Sequence, residues 1–350
     1  MGRQYTGSAG KITNCQFGVF AAYVSDKGHA FIDRALYLPK DWTKDPNRLR
    51  AAHVPEGVRF ATKPQLALGM VERAIAAGVP FLWVAADTVY GTGEVEMALR
   101  RAGKGYVLGT NANQPFNSWV GKPVVYGAAE EIARGLDASA WRRLSAGEGT
   151  KGPRSYDWAY LELADHGQSG ALPDDADEYD PALSGTWTRG LLIRRNPADS
   201  GCAYFSTWCP AGTTIETLVT VEGRCWTIED AFETAKTELG LDHNETRSWH
   251  GWHRHVSLVM LAYAMLARVR HLGRKLAFAH ANHAPPPKTP PRLPRTRPPS
   301  SAGRSRRSGA SLPASPNGAS APRTSIAWSL WRRAHQAAAQ RSHLKQRTQL

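Results

Sequence analysis

Cysteine is scarce: Cys15, Cys202, Cys209 and Cys225 are the only four in 350 residues, with no C-x-x-C pair and no regular spacing. That excludes a disulfide-built scaffold and predicts reduced, structural thiols in a cytosolic protein. Long apolar runs are missing as well. VSLVMLAYAMLA at 256–267 is the longest, far short of the roughly 20 residues a bilayer requires, and it predicts a buried helix. MGRQYTGSAGKI at the start has no apolar core of a secretory signal, so a soluble, cytoplasmic protein is expected. Acid is missing from the end of the chain: Glu245 is the last acidic residue, and 13 Lys and Arg fall from residue 281 onward. The formal charge of +14 is therefore the charge of a tail, and residues 1–280 are close to neutral. Such tails contact nucleic acid or another anionic surface, or remain solvated without a specific partner.

What is present alternates strand and helix patterns. CQFGVFAAYVS (15–25) and HAFIDRALYLP (29–39) are strand-like and joined by Asp26-Lys27-Gly28, which predicts a hairpin. TKPQLALGMVERAIAAG predicts a helix with Thr62 as N-cap, Pro64 in the first turn and Gly78 as stop, with Leu68, Val71 and Ile75 on one face. A strand at 80–86, a helix from Glu94 to Ala102 and the strand GYVLGT follow. This order predicts an α/β fold: a mixed sheet with helices packed on it.

Residues 112–200 are rich in Gly, Asp and Trp; WTRGLLIRR and AYFSTWCP predict strands and LPDDADEYD (172–180) an exposed acidic loop, and from Thr213 to Arg274 the pattern is mostly helical. The expected divisions are 1–111 and 221–275 for the α/β domain and 112–220 for a β-rich insertion. Residues 276–324 are too rich in Pro, Arg and Ser to offset their ordering entropy and are expected to be disordered, with a short basic helix at 325–350.

Two stretches carry candidate chemistry. In FLWVAADTVYGTG (81–93) an apolar strand ends on Asp87, just before Gly91 and Gly93. A dinucleotide-binding reading fails, because the third glycine would fall at Glu96 and acids at Glu94 and Glu96 would repel a pyrophosphate. In CWTIEDAFETAKTELGLDH (225–243), Ile228, Phe232, Ala235 and Leu239 form a buried helical stripe with Glu229 at its border. Lys236, seven residues on, lies about 20° around the axis from Glu229, so a carboxylate and an ammonium share one face. An E-x6-K spacing alone also suits an ordinary solvated face.

Taken jointly, RQYTGSAGKITNCQFGVFAAYVSDKGHAFIDRALYLP, VPFLWVAADTVYG and WTIEDAFETAKTELGLDH with SWHGWHRHVSLVMLAYAML resemble the DDE-class transposases of bacterial insertion sequences. The resemblance covers most of residues 3–272, and AWSLWRRAHQAAAQRSH resembles the end of such proteins. It implies an RNase H-like sheet whose two Asp and one Glu bind two divalent cations, Mg²⁺ or Mn²⁺, with a β-rich insertion before the Glu. By position it implies Asp87 as the second Asp, Glu229 as the Glu, and Lys236 as the Lys of Y-x2-R-x3-E-x6-K.

The implied activity is cleavage of double-stranded DNA at element ends followed by strand transfer. A homodimer in a synaptic complex, a nucleoid-associated location and no membrane go with it. Two cations about 3.5–4 Å apart would activate the nucleophile and stabilise the leaving oxygen. Lys236 would bind a backbone phosphate, with Arg224, Arg254, Arg332 and Arg333 as further DNA contacts.

Departures from the family pattern are expected to matter. The family's first Asp lies on a central strand before the R-Q-Y-x-G stretch, which here begins at Arg3, so that strand and its acid are expected to be missing. Asp26, in a turn, and Asp33, in a structural strand, are poor substitutes. Loss of that strand predicts an unpaired sheet edge beside the strand ending at Asp87. The signature Arg falls at Cys225, with Arg224 one position early and about 100° away, and the Tyr falls at Glu222. A truncated, inactive copy is therefore expected, the alternative being a catalytically dead DNA-binding remnant.

SWHGWHRH clusters His250, His253 and His255 without a fourth zinc ligand, so it predicts a packed helix start with Trp249 and Trp252 in the core. Trp328 and Trp331 are too few for a single-strand stacking surface.

Overall fold

The computed structural model describes residues 2–6, 10–118, 124–149, 152–163 and 186–281, with the backbone alone at 5–6 and 274–281. Contacts divide the chain into residues 1–267 and 268–350, and the fold that follows belongs to the first unit.

Strands β1 (Gly2–Thr6) and β2 (Lys11–Cys15) pair antiparallel ahead of the expected hairpin, which is β3 (Phe17–Ser25) and β4 (Gly28–Tyr37). Helices α1 (Lys40–Thr43) and α2 (Pro46–Ala51) follow; the Asp45 carboxylate caps α2 by accepting from the N–H groups of Asn47 and Arg48. Next come α3 (Lys63–Ala76), β5 (Trp83–Ala86), α4 (Gly93–Arg101) and β6 (Gly105–Thr110). Then follow β7 (Pro115–Ser118), β8 (Val125–Ala128), α5 (Ala129–Arg134), β9 (Arg142–Gly149) and β10 (Gly152–Leu163). Strands β11 (Trp187–Arg195) and β12 (Cys202–Pro210) and helices α6 (Ile215–Thr237) and α7 (Trp249–Ala281) complete the order.

The main sheet runs β5-β6-β12-β11-β10-β9. Its β5–β6 pair is parallel, joined through α4, and the remaining pairs are antiparallel. Strands from the 112–220 region thus continue the sheet that β5 and β6 begin. The core lies at the sheet centre, where Tyr106, Trp158, Leu191, Leu192, Ile193 and Trp208 are fully buried. This mixed α/β arrangement agrees with the RNase H-like reading.

At β5 the main sheet stops. Among the described residues no strand pairs with its outer side, and the β3–β4 hairpin forms a sheet of its own. Helix α6 packs on β5 and on both hairpin strands, and the Tyr23 hydroxyl of β3 donates to the Pro80 carbonyl at 3.0 Å. The residues of β5 are half-buried, whereas those of neighbouring β6 are almost all buried. The unpaired edge expected beside Asp87 is therefore observed.

Local signals explain the flanking helices. Thr62 and Gln65 cap α3 reciprocally, with Thr62 N–H on Gln65 Oε1 at 2.9 Å and Gln65 N–H on Thr62 Oγ1 at 3.3 Å, a device that contributes about 1 kcal/mol. On the expected face of α3, Val71 packs against the cluster of Leu99, Tyr106 and Leu108 and Leu68 is half-buried, whereas Ile75 is 37 % exposed and Met70 is the buried side chain. The expected strand at 80–86 shortens to Trp83–Ala86, with Leu82 exposed beside it. Helix α6 begins at Ile215, capped by Thr214, in agreement with the helical pattern expected from Thr213 onward.

In α7, Trp252, Val256, Val259 and Tyr263 are buried at helical spacing; Val259 and Tyr263 pack in one cluster with Phe31, Ala231 and Ala235. The stripe expected on α6 is thus docked, with Ile228, Phe232 and Leu239 against the same cluster. Residues Trp249–Gly273 are long and apolar enough to cross a membrane by length and composition. One face nevertheless serves the core, and Leu258, Leu261 and Met265 face outward, so the run at 256–267 is buried on one side only. The helix continues to Ala281, past Lys275, since no proline intervenes before Pro285. All four cysteines are free. The acidic loop at 172–180 and residues 282–350, with Trp328, Trp331, Arg332 and Arg333, lie outside the described residues.

Candidate active site

Asp87 directly follows β5 and is exposed. Its Oδ1 accepts the Val89 N–H at 3.0 Å and its carbonyl accepts the Tyr90 N–H at 3.1 Å, so it does cap the turn that follows. One carboxylate oxygen suffices for that role. The turn is pressed onto the end of β6: a Cβ on Gly91 would stand 1.9 Å from the Gly109 carbonyl oxygen, and one on Gly109 would stand 2.7 Å from Thr88 N. Gly91 therefore serves close backbone approach, as a strand-end platform requires, and no phosphate cradle is needed to explain it.

Helix α6 supplies the second wall. Glu222, Cys225 and Glu229, at i, i+3 and i+7, share one of its faces. Its height over the sheet is set at Gly223, where a Cβ would lie 2.1 Å from the Ala146 carbonyl oxygen of β9. Arg154 of β10 clasps this contact, with its Nη2 donating to Ala146 O at 2.5 Å and to Gly223 O at 2.9 Å. Glu222 is buried, and its Oε1 accepts from Arg194 Nη1 at 2.6 Å. Its Oε2 is buried and, among the described residues, has no hydrogen-bond partner.

The charges of the acids are felt together at Cys225. Burial first, then the negative charges of Glu222, Asp87 and Glu229, push its thiol up to about 12, with Arg194 opposing. Burial and then the Asp87 charge likewise push the Tyr90 hydroxyl up to about 12. The structure thus brings Asp87 and Glu229 within electrostatic reach of one side chain. Among the described residues, no three of His, Cys, Asp and Glu gather closely enough to hold a metal ion.

The other expected residues scatter. Lys236 is exposed, with its ammonium 5.8 Å from the Phe232 ring centre. Arg224 is turned to the hairpin, where it pairs with Asp26 at 3.0 Å. Arg254 is exposed on α7. Asp33 is held by Arg73 at 2.8 Å, a structural pairing. His253 Nδ1 lies 2.9 Å from Trp249 O and His255 Nε2 lies 3.0 Å from Gly240 O, which fits a packed helix start; Trp252 is in the core and Trp249 is half-buried. Sequence reasoning gave no role to Arg154 or Arg194, and placed Glu222 only as a departure from a signature. The available signal was WTRGLLIRR, a buried strand that ends on two arginines at the sheet face.

A thiol raised this far is almost wholly protonated at neutral pH, and the thiolate is the reactive form. At pH 8, iodoacetamide followed by mass spectrometry should label exposed Cys202 and leave Cys225 unmodified in the folded chain. Labelling of Cys225 should rise about tenfold per pH unit below its pKa; equal labelling of both at pH 8 would contradict the arrangement.

No curated protein matches the chain. Residues 1–152, which contain Asp87 and end before Glu229, match the family model of the DDE superfamily endonuclease, and this supports a DNA-acting, endonuclease or transposase-like function.

Proposed function

We propose that the chain is the catalytic part of a DDE-class insertion-sequence transposase, which cleaves double-stranded DNA at element ends and joins it to a target. The packing of α6 on β5 supports this reading, since it puts the end of the strand before Asp87 and the helix face of Glu229 on neighbouring elements, and both charges are felt at Cys225. Two carboxylates on rigid elements suit a hard divalent cation, Mg²⁺ or Mn²⁺. Asp87 and Glu229 would hold it, and when bound it would polarise the scissile phosphate. Lys236, two turns beyond Glu229 and exposed, is the ammonium that reaches the DNA backbone.

Two carboxylates are fewer than a two-cation site needs. Glu222, the third acid near Cys225, is buried and held by Arg194, so cleavage is expected to be weak; among the described residues β5 is also an open edge of the sheet. That open edge favours a second reading, a remnant that binds DNA without cutting it.

Incubation of the full chain with duplex DNA carrying the element's ends, in Mg²⁺ or Mn²⁺, tests the proposal. DNA should be bound, and any metal-dependent nicking should vanish in Asp87→Ala and in Glu229→Ala. Nicking that survives both substitutions would reject the site. Binding with no nicking by the parent chain would favour the remnant.

A further inference from the structure

Position 225, one turn before Glu229 on the same face of α6, holds a thiol where a cation would be useful for phosphate binding, and the neighbouring Arg224 is engaged with Asp26. A guanidinium nevertheless reaches this place from the sheet. Arg194, near the end of β11, lies along Tyr156, Phe205 and Trp158, with ring centres 4.9, 5.7 and 6.0 Å away, and ends at Glu222. Among the described residues that contact is its one hydrogen bond, made through Nη1, and its side chain is 29 % exposed. A guanidinium has five N–H donors in a planar fork, so an edge remains open. Glu222, 7 % exposed, fixes the fork while its second oxygen stays without a partner among the described residues.

We propose that Arg194 is a DNA-phosphate contact of this site, held beside Cys225 and aimed by the buried Glu222. The aromatic bed restricts the long side chain and the carboxylate selects its orientation, so little freedom is lost when a phosphate takes the open edge. Glu222 acts as a positioning residue, and its negative charge also weakens the field the phosphate meets. This inference rests on the DNA-acting reading of the site.

The test is duplex DNA binding by the full chain, measured by fluorescence anisotropy over a range of salt in EDTA, so that cleavage plays no part. Each phosphate contact contributes close to one unit to the slope of log K against log salt, and the basic tail contributes equally to every variant. Arg194→Gln should weaken binding about three- to tenfold and reduce the slope by about one, whereas Arg194→Lys should keep most of the slope. Glu222→Gln should tighten binding with the slope retained.

A purely structural Arg194 would lower the melting temperature and leave the slope unchanged, which would overturn the inference. Should Arg194→Gln not fold, Glu222→Gln decides, and equal or weaker binding there also overturns it. Failure of the parent chain to bind DNA at all would instead remove the functional reading beneath it.

Discussion

Gly223→Ala is expected to lower the melting temperature of the chain by about 2–12 °C. Glycine to alanine within a helix ordinarily stabilises by up to roughly 1 kcal/mol, since alanine loses less backbone entropy on folding. Here the sign reverses, because the added Cβ would lie 2.1 Å from the Ala146 carbonyl oxygen, and that atom belongs to a paired strand. Neither helix nor strand yields cheaply, and overpacking of this kind costs about 1–3 kcal/mol. In a domain of this size that converts at roughly 2–4 °C per kcal/mol. Gly69→Ala is the control: its Cβ would meet only the end of the Arg73 side chain, at 3.5 Å, so helix propensity should win and the midpoint should rise slightly. Equal melting of the two variants in differential scanning calorimetry would show that α6 does not sit on β9 as described. Displacing α6 would also carry Glu222, Cys225 and Glu229 away from Asp87 together.

Much of the scaffold was legible because its signals are local. Thr62 and Gln65 mark the start of α3, Asp26-Lys27-Gly28 turns the hairpin, and GYVLGT is an apolar run of strand length that coincides with β6. Asp87 and Glu229 were legible as an acid ending a strand and an acid bordering a helical stripe. What was not legible depends on contacts between distant segments. The orientation of α3 follows from the hairpin beneath it, which no period within α3 reports. Arg194 and Glu222 meet only because β11 lies near the middle of the sheet, and nothing in either stretch announces the other. Arg224 was already one position off the signature by spacing, and the structure engages it with Asp26 across the hairpin.

The central claim is that Asp87 and Glu229 hold one cation between them. Iron-directed backbone cleavage tests it without requiring the chain to cut DNA. Fe²⁺ occupies sites of Mg²⁺ type, and with ascorbate and peroxide it releases hydroxyl radicals that cut peptide bonds beside the ion. In the full chain, mass spectrometry should find two groups of cuts, one beside Asp87 and one in the 225–229 turn of α6. Excess Mg²⁺ should suppress both. Asp87→Asn alone, and Glu229→Gln alone, should each abolish both groups, because each acid supplies half of the described donors. Cuts confined to one segment, or cuts beside one acid that persist when the other is removed, would contradict the account.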